Sequence, residues 1–257
     1  ISRAPLLGTA PVVVSLTTFG HRTASVHHTI ESIGAGSVRP ARLILWLDDE
    51  GVLADLPAPL ERLRKRGLEI RSCPNYGPHK KQYPYAAMLP DHVLPLATAD
   101  DDIIYPRHWL AGLLGAHRND PRPIWCYRCH EIVLDDNGAL AAYQQWRPCT
   151  TSNPSARHLP TGVSGVLYPP SMLDALREAG EGFLSAAPTA DDLWVHSVAL
   201  RSGHEVAQIS AQQAFFTTIP GTQRGTLQRK NVKEGHNDRQ AAALYGRSEM
   251  MVLRAAR

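Results

Sequence analysis

The sequence predicts an α/β fold: a mainly parallel sheet flanked by helices, in a single domain. Three observations carry this. Strand-like and helix-like segments alternate through the first part of the chain in the order β-α-β-α-β. The strand-like segments are apolar without interruption rather than alternating, which is the pattern of strands buried on both faces. The chain of 257 residues is 43% hydrophobic, enough for a sizeable core in one domain.

The elements follow in order. Val12-Val13-Val14-Ser15-Leu16 is a β-branched run that predicts a buried strand. A polar loop spans Thr17 to Thr23. Val26, Ile30 and Ile33 then recur at helical spacing, stopped by Gly34 and Gly36. Leu43 to Leu47 is a second strand, ending at Asp48-Asp49-Glu50. Pro59 opens a short helix with Leu60 and Leu63 inward, and Leu68 to Arg71 is a third strand. A fourth runs from Val93 to Ala99, or begins after the awkward Pro95, and ends in Asp100-Asp101-Asp102. Pro106 starts a helix carrying Trp109, Leu110, Leu113 and Leu114.

The second half predicts a small set of mixed strands. Ile124 to Leu134 is expected as a strand, Asp135-Asp136-Asn137-Gly138 as a hairpin turn, and Ala139 to Trp146 as the returning partner. Ser164 to Tyr168 is another strand, and Ser171 is expected to cap a helix. A second helix runs from near Thr189 to Gly203, and Val206 to Ile209 is a last strand. Gly221 to Gly235 is expected as a mobile loop before a C-terminal helix from about Asn237. Residues from about 1 to 105 form one half of the domain, about 106 to 220 the other, and 221 to 257 the loop and last helix.

Composition excludes several classes. With 27 basic and 24 acidic residues the net charge is +3, too mild to imply nucleic acid. No run approaches the roughly 20 apolar residues of a membrane span, and no signal peptide is visible. Four cysteines in a chain this long do not make a disulfide framework. A cytoplasmic location, at most peripheral to a membrane, is expected; the chain starts at Ile1 rather than Met, which fits either a trimmed chain or a piece of a longer protein.

In parallel sheets, ligands sit beyond the carboxyl ends of the strands. Asp100, Asp101 and Asp102 lie there. Adjacent carboxylates repel, and a cation relieves this. If strand alternation continues, Asp100 and Asp102 share a face and hold Mg2+ or Mn2+, leaving coordination positions for a diphosphate. The alternative is a solvated acidic turn. Asp191-Asp192 opens a helix after Thr189. Thr189 as N-cap with acids in the first turn is the structural alternative; a general base is the functional one. Lys80 and Lys81, after Gly77-Pro78-His79, and Arg22 suit a phosphate or a sugar hydroxyl, or a solvated face. Trp146, Trp194, Tyr83 and Tyr168 are candidates for a stacking face or for core. His236 is a candidate metal ligand.

Two motifs point elsewhere. Cys126-Tyr127-Arg128-Cys129-His130 matches haem attachment, a redox pair or a zinc half-site. A strand through it puts Cys126 and Cys129 on opposite faces, and Cys73 and Cys149 stand isolated, which argues against zinc. Gly162-Val163-Ser164-Gly165 lacks the outer glycine of a hydrolase elbow.

Together the segments 12–19, 44–50, 79–81, 100–106, 161–170 and 190–194 resemble bacterial glycosyltransferases of the GT-A fold, close to inverting family 2 and its capsule and cell-envelope polysaccharide subgroup. The resemblance implies a nucleotide-sugar donor (UDP by frequency) and a glycan or lipid-linked acceptor. It implies a Mn2+ or Mg2+ cofactor on Asp100 and Asp102, with His236 completing the metal site. Thr17, Arg22, Asp48 or Asp49, Lys80 or Lys81, Asp101 and Trp194 are assigned to the donor side and Gly162 to Gly165 to the acceptor side. Asp191 or Asp192 is the base, with Asp192 favoured. The rivals are a metal-dependent phosphoesterase or pyrophosphatase, and a non-catalytic nucleotide-sugar binding module.

Overall fold

The structure is a computed structural model and describes residues 3–223 and 235–256. In chain order it contains β1 (Ala10–Thr17), α1 (Val26–Gly34), β2 (Pro40–Leu47), α2 (Glu50–Ala54), α3 (Ala58–Arg64), β3 (Leu68–Ser72), α4 (Tyr83–Ala87), β4 (Leu96–Ala99), β5 (Ile103–Ile104) and α5 (Trp109–Asn119). There follow β6 (Ile124–Cys126), β7 (Cys129–Glu131), β8 (Arg147–Pro148), β9 (His158–Pro160), β10 (Val166–Tyr168), α6 (Pro170–Ala179), α7 (Phe183–Ala186), α8 (Asp191–Ser202), β11 (Val206–Gln208), β12 (Thr217–Thr218), α9 (His236–Leu244) and α10 (Arg247–Ala255).

Seven strands build the central sheet in the order β11-β6-β10-β4-β1-β2-β3. β1 pairs in parallel with β2 and β4, and β2 with β3. β10 runs antiparallel to both β4 and β6, and β11 returns parallel to β6. The fold is the mostly parallel α/β sheet flanked by helices that the apolar runs predict.

Alternation along β1 feeds two cores. Val12, Val14 and Leu16 face one side, with Leu43 and Leu45 of β2, Ile30 and Ile33 of α1, and Leu110 and Leu113 of α5. Val13 faces the other, with Ile44, Leu96 and the helices α6 and α8. Ser15, on the same face as Val13, is fully buried and accepts a hydrogen bond from Trp46 Nε1 at 3.0 Å, so the one polar residue of the run is satisfied.

Several expectations change. β4 begins after Pro95, which has no N–H to offer the sheet but whose carbonyl accepts from Val13 N at 3.0 Å. The strand expected over 124–134 is broken at Tyr127-Arg128: β6 stays in the central sheet while β7 joins β8 and β9 in a three-stranded sheet. The turn at Asp135 to Gly138 is present, with Asp135 Oδ1 accepting from Asn137 N and Ala139 N. The chain after it pairs only at Leu134 and Leu140 before entering a 3-10 turn at Tyr143–Gln145. Ser171 does not cap α6. The helix opens on Pro170 behind Pro169, and the Ser171 hydroxyl shares a hydrogen bond with His204 instead. Of the loop expected over Gly221 to Gly235, residues 224–234 lie outside the described residues. The helix expected from about Asn237 starts at His236 as α9 and ends at Leu244, and a further helix, α10, follows it. Among the described residues no helix is long and apolar enough to cross a membrane.

Candidate active site

The carboxyl ends of β1, β2 and β4 open onto a cavity of about 1000 Å³. Thr17 lines it from the end of β1, its hydroxyl donating to Trp46 O at 3.0 Å. Asp48 lines it from the end of β2 and meets Lys80 Nζ at 2.5 Å. Lys80 and Lys81 are buried, not a solvated face. They sit in the 3-10 turn Gly77–Lys81, which His79 anchors. The His79 ring donates to Ala187 O at 2.8 Å and stacks on Phe183 at 4.1 Å. Burial lowers its pKa, so the anchor is neutral.

The acidic triplet lines the same cavity, but the side chains do not alternate as a continued strand would make them. β4 ends at Ala99, and the chain turns through residues 101 and 102. Asp101 and Asp102 therefore face one cation, Arg22, at 2.8 and 3.3 Å, while Asp100 faces another, Lys81, at 3.1 Å. Thr18 donates to Asp101 at 2.6 Å, and Gln223 to Asp102 at 2.7 Å. Arg22 also donates to Thr222 O at 3.1 Å, tying the segment after β12 to the triplet. Burial raises the pKa of Asp101 and of Asp102, and Arg22 works against it at both.

Lys81 is the hinge of the site. Its ammonium lies 3.1 Å from Asp100 and 3.2 Å from Asp191, joining the end of β4 to the start of α8. Burial opposes its charge, but Asp100, Asp191 and Asp192 outweigh this and hold its pKa well above the ordinary value. Gly162 leaves room for it: a Cβ there would stand 2.7 Å from Lys81 Nζ.

Neither Asp191 nor Asp192 serves as the cap of α8, and Thr189 does not cap it either. The N-cap is Ala190, without a side-chain hydrogen bond. Thr189 N instead donates to Gln240 at 3.1 Å. Asp191 is bound to Lys81, while Asp192 accepts from Gly162 N at 3.1 Å. Burial first, then the neighbouring Asp191, pushes the pKa of Asp192 up to about 7. The geometry thus separates the pair: Asp191 is tied to a cation, and Asp192 is a carboxyl group that titrates near neutrality at the wall of the cavity.

The opposite wall holds Trp146, one of the expected stacking candidates, together with residues that the long-strand reading hides. Arg128 donates to Thr161 Oγ1 at 3.2 Å, shares a 3.1 Å hydrogen bond with His130, and lies 5.3 Å over the ring of Phe215. Burial and Arg128 bring the pKa of His130 down to about 4, so it is neutral. Tyr143 and Trp146 pack 4.8 Å apart beside them. All line the cavity, as does Asn237. The break at Tyr127-Arg128 and the 3-10 turn bring them in, and neither is visible in the hydropathy pattern.

Seven expected residues stand apart from the cavity lining: Ser164 and the stacking candidates Tyr83 and Tyr168 are buried, and four others are held away for local reasons. Asp49 is exposed and caps α2, accepting from Val52 N at 3.1 Å. Gly165, at φ +99°, admits the Trp109 indole, which a Cβ would approach to 2.5 Å. Trp194 is in the core against Phe183, under the Arg201 guanidinium. His236 opens α9, and it is the next residue, Asn237, that reaches the cavity.

The oxygen donors of Asp100 and Asp102 suit a hard divalent cation. Asp100 is the most exposed of the triplet, at 26%. Asp100 faces Lys81 and Asp102 faces Arg22, and among the described residues neither belongs to a close triple of His, Cys, Asp or Glu ligand atoms, nor does His236. A cation here would have open positions, as one that binds a diphosphate needs.

No protein-family model matches the chain, and no curated protein matches it in sequence. Solved structures match in fold. The mannosyltransferase PcManGT from Pyrobaculum calidifontis, in complex with GDP-Man and Mn2+, superposes with a TM-score of 0.60 at 13% identity, covering 98% of this chain and 71% of that one. Residues 1-349 of S. aureus TarS superpose with a TM-score of 0.50 at 11% identity, covering 91% and 70%. The fold is GT-A-like.

Proposed function

We propose that this protein is a metal-dependent glycosyltransferase. It transfers a sugar, with inversion, from a nucleoside diphosphate donor to a hydroxyl of a glycan or lipid-linked acceptor, in polysaccharide biosynthesis. The observation that carries the proposal is the pairing of two features that line one cavity: the Asp100–Asp102 triplet at the strand ends and the Asp192 carboxyl, held by Gly162 N at 3.1 Å. The GT-A-like fold, and the GDP-Man and Mn2+ held by the PcManGT neighbour, support it.

Asp100 and Asp102 would hold Mn2+ or Mg2+, which when bound offsets charge on the departing diphosphate. Thr17 and Asp48 are set to contact the nucleoside. Lys80 braces Asp48, and Arg22 braces Asp101 and Asp102, so the acidic edge is fixed before a donor arrives. Asp192 takes the proton of the acceptor hydroxyl as that oxygen attacks the anomeric carbon. Burial and Asp191 raise its pKa, which makes it a stronger base than an ordinary carboxylate. Asp191 keeps Lys81 in place and is a positioning residue. Tyr143 and Trp146 offer aromatic faces to a sugar, and Arg128 and His130 offer hydrogen bonds to its hydroxyls.

The test is Asp192→Asn. It preserves size and a Gly162 N acceptor while removing the base. We expect kcat to fall by about 10²–10⁴ with donor binding intact. Activity within a few-fold of wild type would end the assignment. Sugar phosphate released without an acceptor would favour a phosphoesterase, and binding without turnover on any donor a non-catalytic module.

A further inference from the structure

The cysteine motif that the transfer chemistry leaves unused acquires partners in the fold. The break between β6 and β7 turns Cys129 inward. Cys149, one residue past β8, and His158, at the start of β9, meet it there. All three are buried, and one ligand atom from each lies within 4.8 Å of the others. Cys149 is therefore not isolated, as its place in the sequence suggests.

We propose that Cys129, Cys149 and His158 form a structural zinc site, separate from the cation site of the sugar-transfer cavity.

Three features of the geometry argue for it. Cys149 Sγ and His158 Nε2 are 3.4 Å apart. A tetrahedral zinc with bonds of about 2.3 Å to sulfur and about 2.05 Å to nitrogen sets two such ligands about 3.5 Å apart. The ring of His158 is in the right tautomer: Nδ1 meets Val206 O at 3.1 Å and must donate there, which leaves the Nε2 lone pair aimed at the thiols. A backbone carbonyl behind a histidine is a common way of orienting a zinc ligand. The surrounding polar groups are also fixed. Gln208, fully buried, accepts from Cys129 N at 3.1 Å and donates to Ser210 O at 2.6 Å. Cys126, three residues before Cys129, donates instead to Ala207 O at 3.6 Å and lies outside the cluster, so among the described residues the protein offers the metal three ligands.

The site has a structural purpose. β7, β8 and β9 are three, two and three residues long, too short to be stable by pairing alone. A metal clip would close the segment between residues 129 and 158 and lock the small sheet. That sheet carries Arg128, His130 and Thr161 into the cavity, so the clip would hold the acceptor wall without touching substrate.

The experiment is metal analysis of the full chain purified without chelator, then washed with EDTA under conditions that remove bound Mn2+. We expect close to one zinc per chain to remain. In Cys149→Ser and His158→Gln, retention should fall by about tenfold or more. Because either variant may be poorly folded, wild-type protein stripped of metal is also titrated with Co2+ alone. A thiolate-to-cobalt charge-transfer band that Mn2+ does not displace supports the site. Zinc below about a tenth of an equivalent with no such band would overturn it, leaving a plain thiol–imidazole hydrogen bond. So would full zinc retention in both variants when they are folded. Neither result bears on Asp192 or the acidic triplet.

Discussion

At the residue scale, the site depends on charges kept inside the protein. Asp192 illustrates the cost. Its pKa stands near 7 in the fold against an ordinary 3.8. Between those values the native state binds a proton that the unfolded chain has released, so stability falls as pH rises through that window. Asp192→Asn, which never ionises, should be more stable than wild type at pH about 8, by an amount on the order of a few kcal/mol that vanishes below pH about 4. Chemical denaturation at both values measures this. The same titration governs catalysis in the opposite sense: kcat/KM should climb about tenfold per pH unit below about 7 and level off above. A profile flat from about pH 5 to 8 would exclude Asp192 as the base. Lys81 answers to a different measurement. Lys81→Met strands Asp100 and Asp191, and the removal of one partner of a buried pair typically costs about 3–5 kcal/mol. A loss under about 1 kcal/mol in urea would mean that the lysine does not hold the two walls together.

At the element scale, glycines set how closely the layers approach, and two of them give opposite expectations. Gly203 closes α8 in the left-handed conformation with open space around it. Gly165 combines φ +99° with an indole against its Cα. Gly203→Ala should therefore cost only backbone strain, about 1 kcal/mol, while Gly165→Ala must also shift Trp109, which spans from α5 to the Ser164 carbonyl. A drop in Tm for Gly165→Ala at least twice that for Gly203→Ala is expected, and equal drops would remove the packing argument. Elements were legible where hydropathy dictates them. β1, β2 and α1 announce themselves because burial on both faces, or on a helical stripe, demands apolar residues at fixed spacing, whereas α8 is buried on all sides from Leu193 to Leu200. The β6–β7 break was not, because a change of sheet leaves every residue extended and alters only which neighbour it pairs with. The acidic triplet shows the same limit. Its identity as a site follows from its place after an apolar run, but the pairing of Asp101 with Asp102 depends on the chain turning after Ala99, and sequence alternation carries no sign of that turn.

At the scale of the whole molecule, a net charge of +3 conceals a cavity where Arg22, Lys80 and Lys81 interleave with Asp48, the triplet and the Asp191-Asp192 pair. Such a site attracts a ligand that is itself part anion and part cation, which describes a nucleoside diphosphate with a divalent metal better than it describes either alone. The two should therefore bind cooperatively. Mn2+ brings positive charge to Asp100 and Asp102, and the diphosphate fills the positions that two carboxylates leave open. Thermal shift against UDP, GDP and their sugar derivatives, with Mn2+ or with EDTA, reads this directly. The matching nucleotide at 100 times its Kd should add about 2.7 kcal/mol of stability, which vanishes or shrinks sharply in EDTA. Asp102→Asn should lose the metal-dependent part, whereas Asp192→Asn should keep it, because Asp192 acts on the acceptor and not on the donor. If nucleotide stabilises equally in Mn2+ and in EDTA, the triplet serves only to hold Arg22, and the metal must be struck from the mechanism while the base remains.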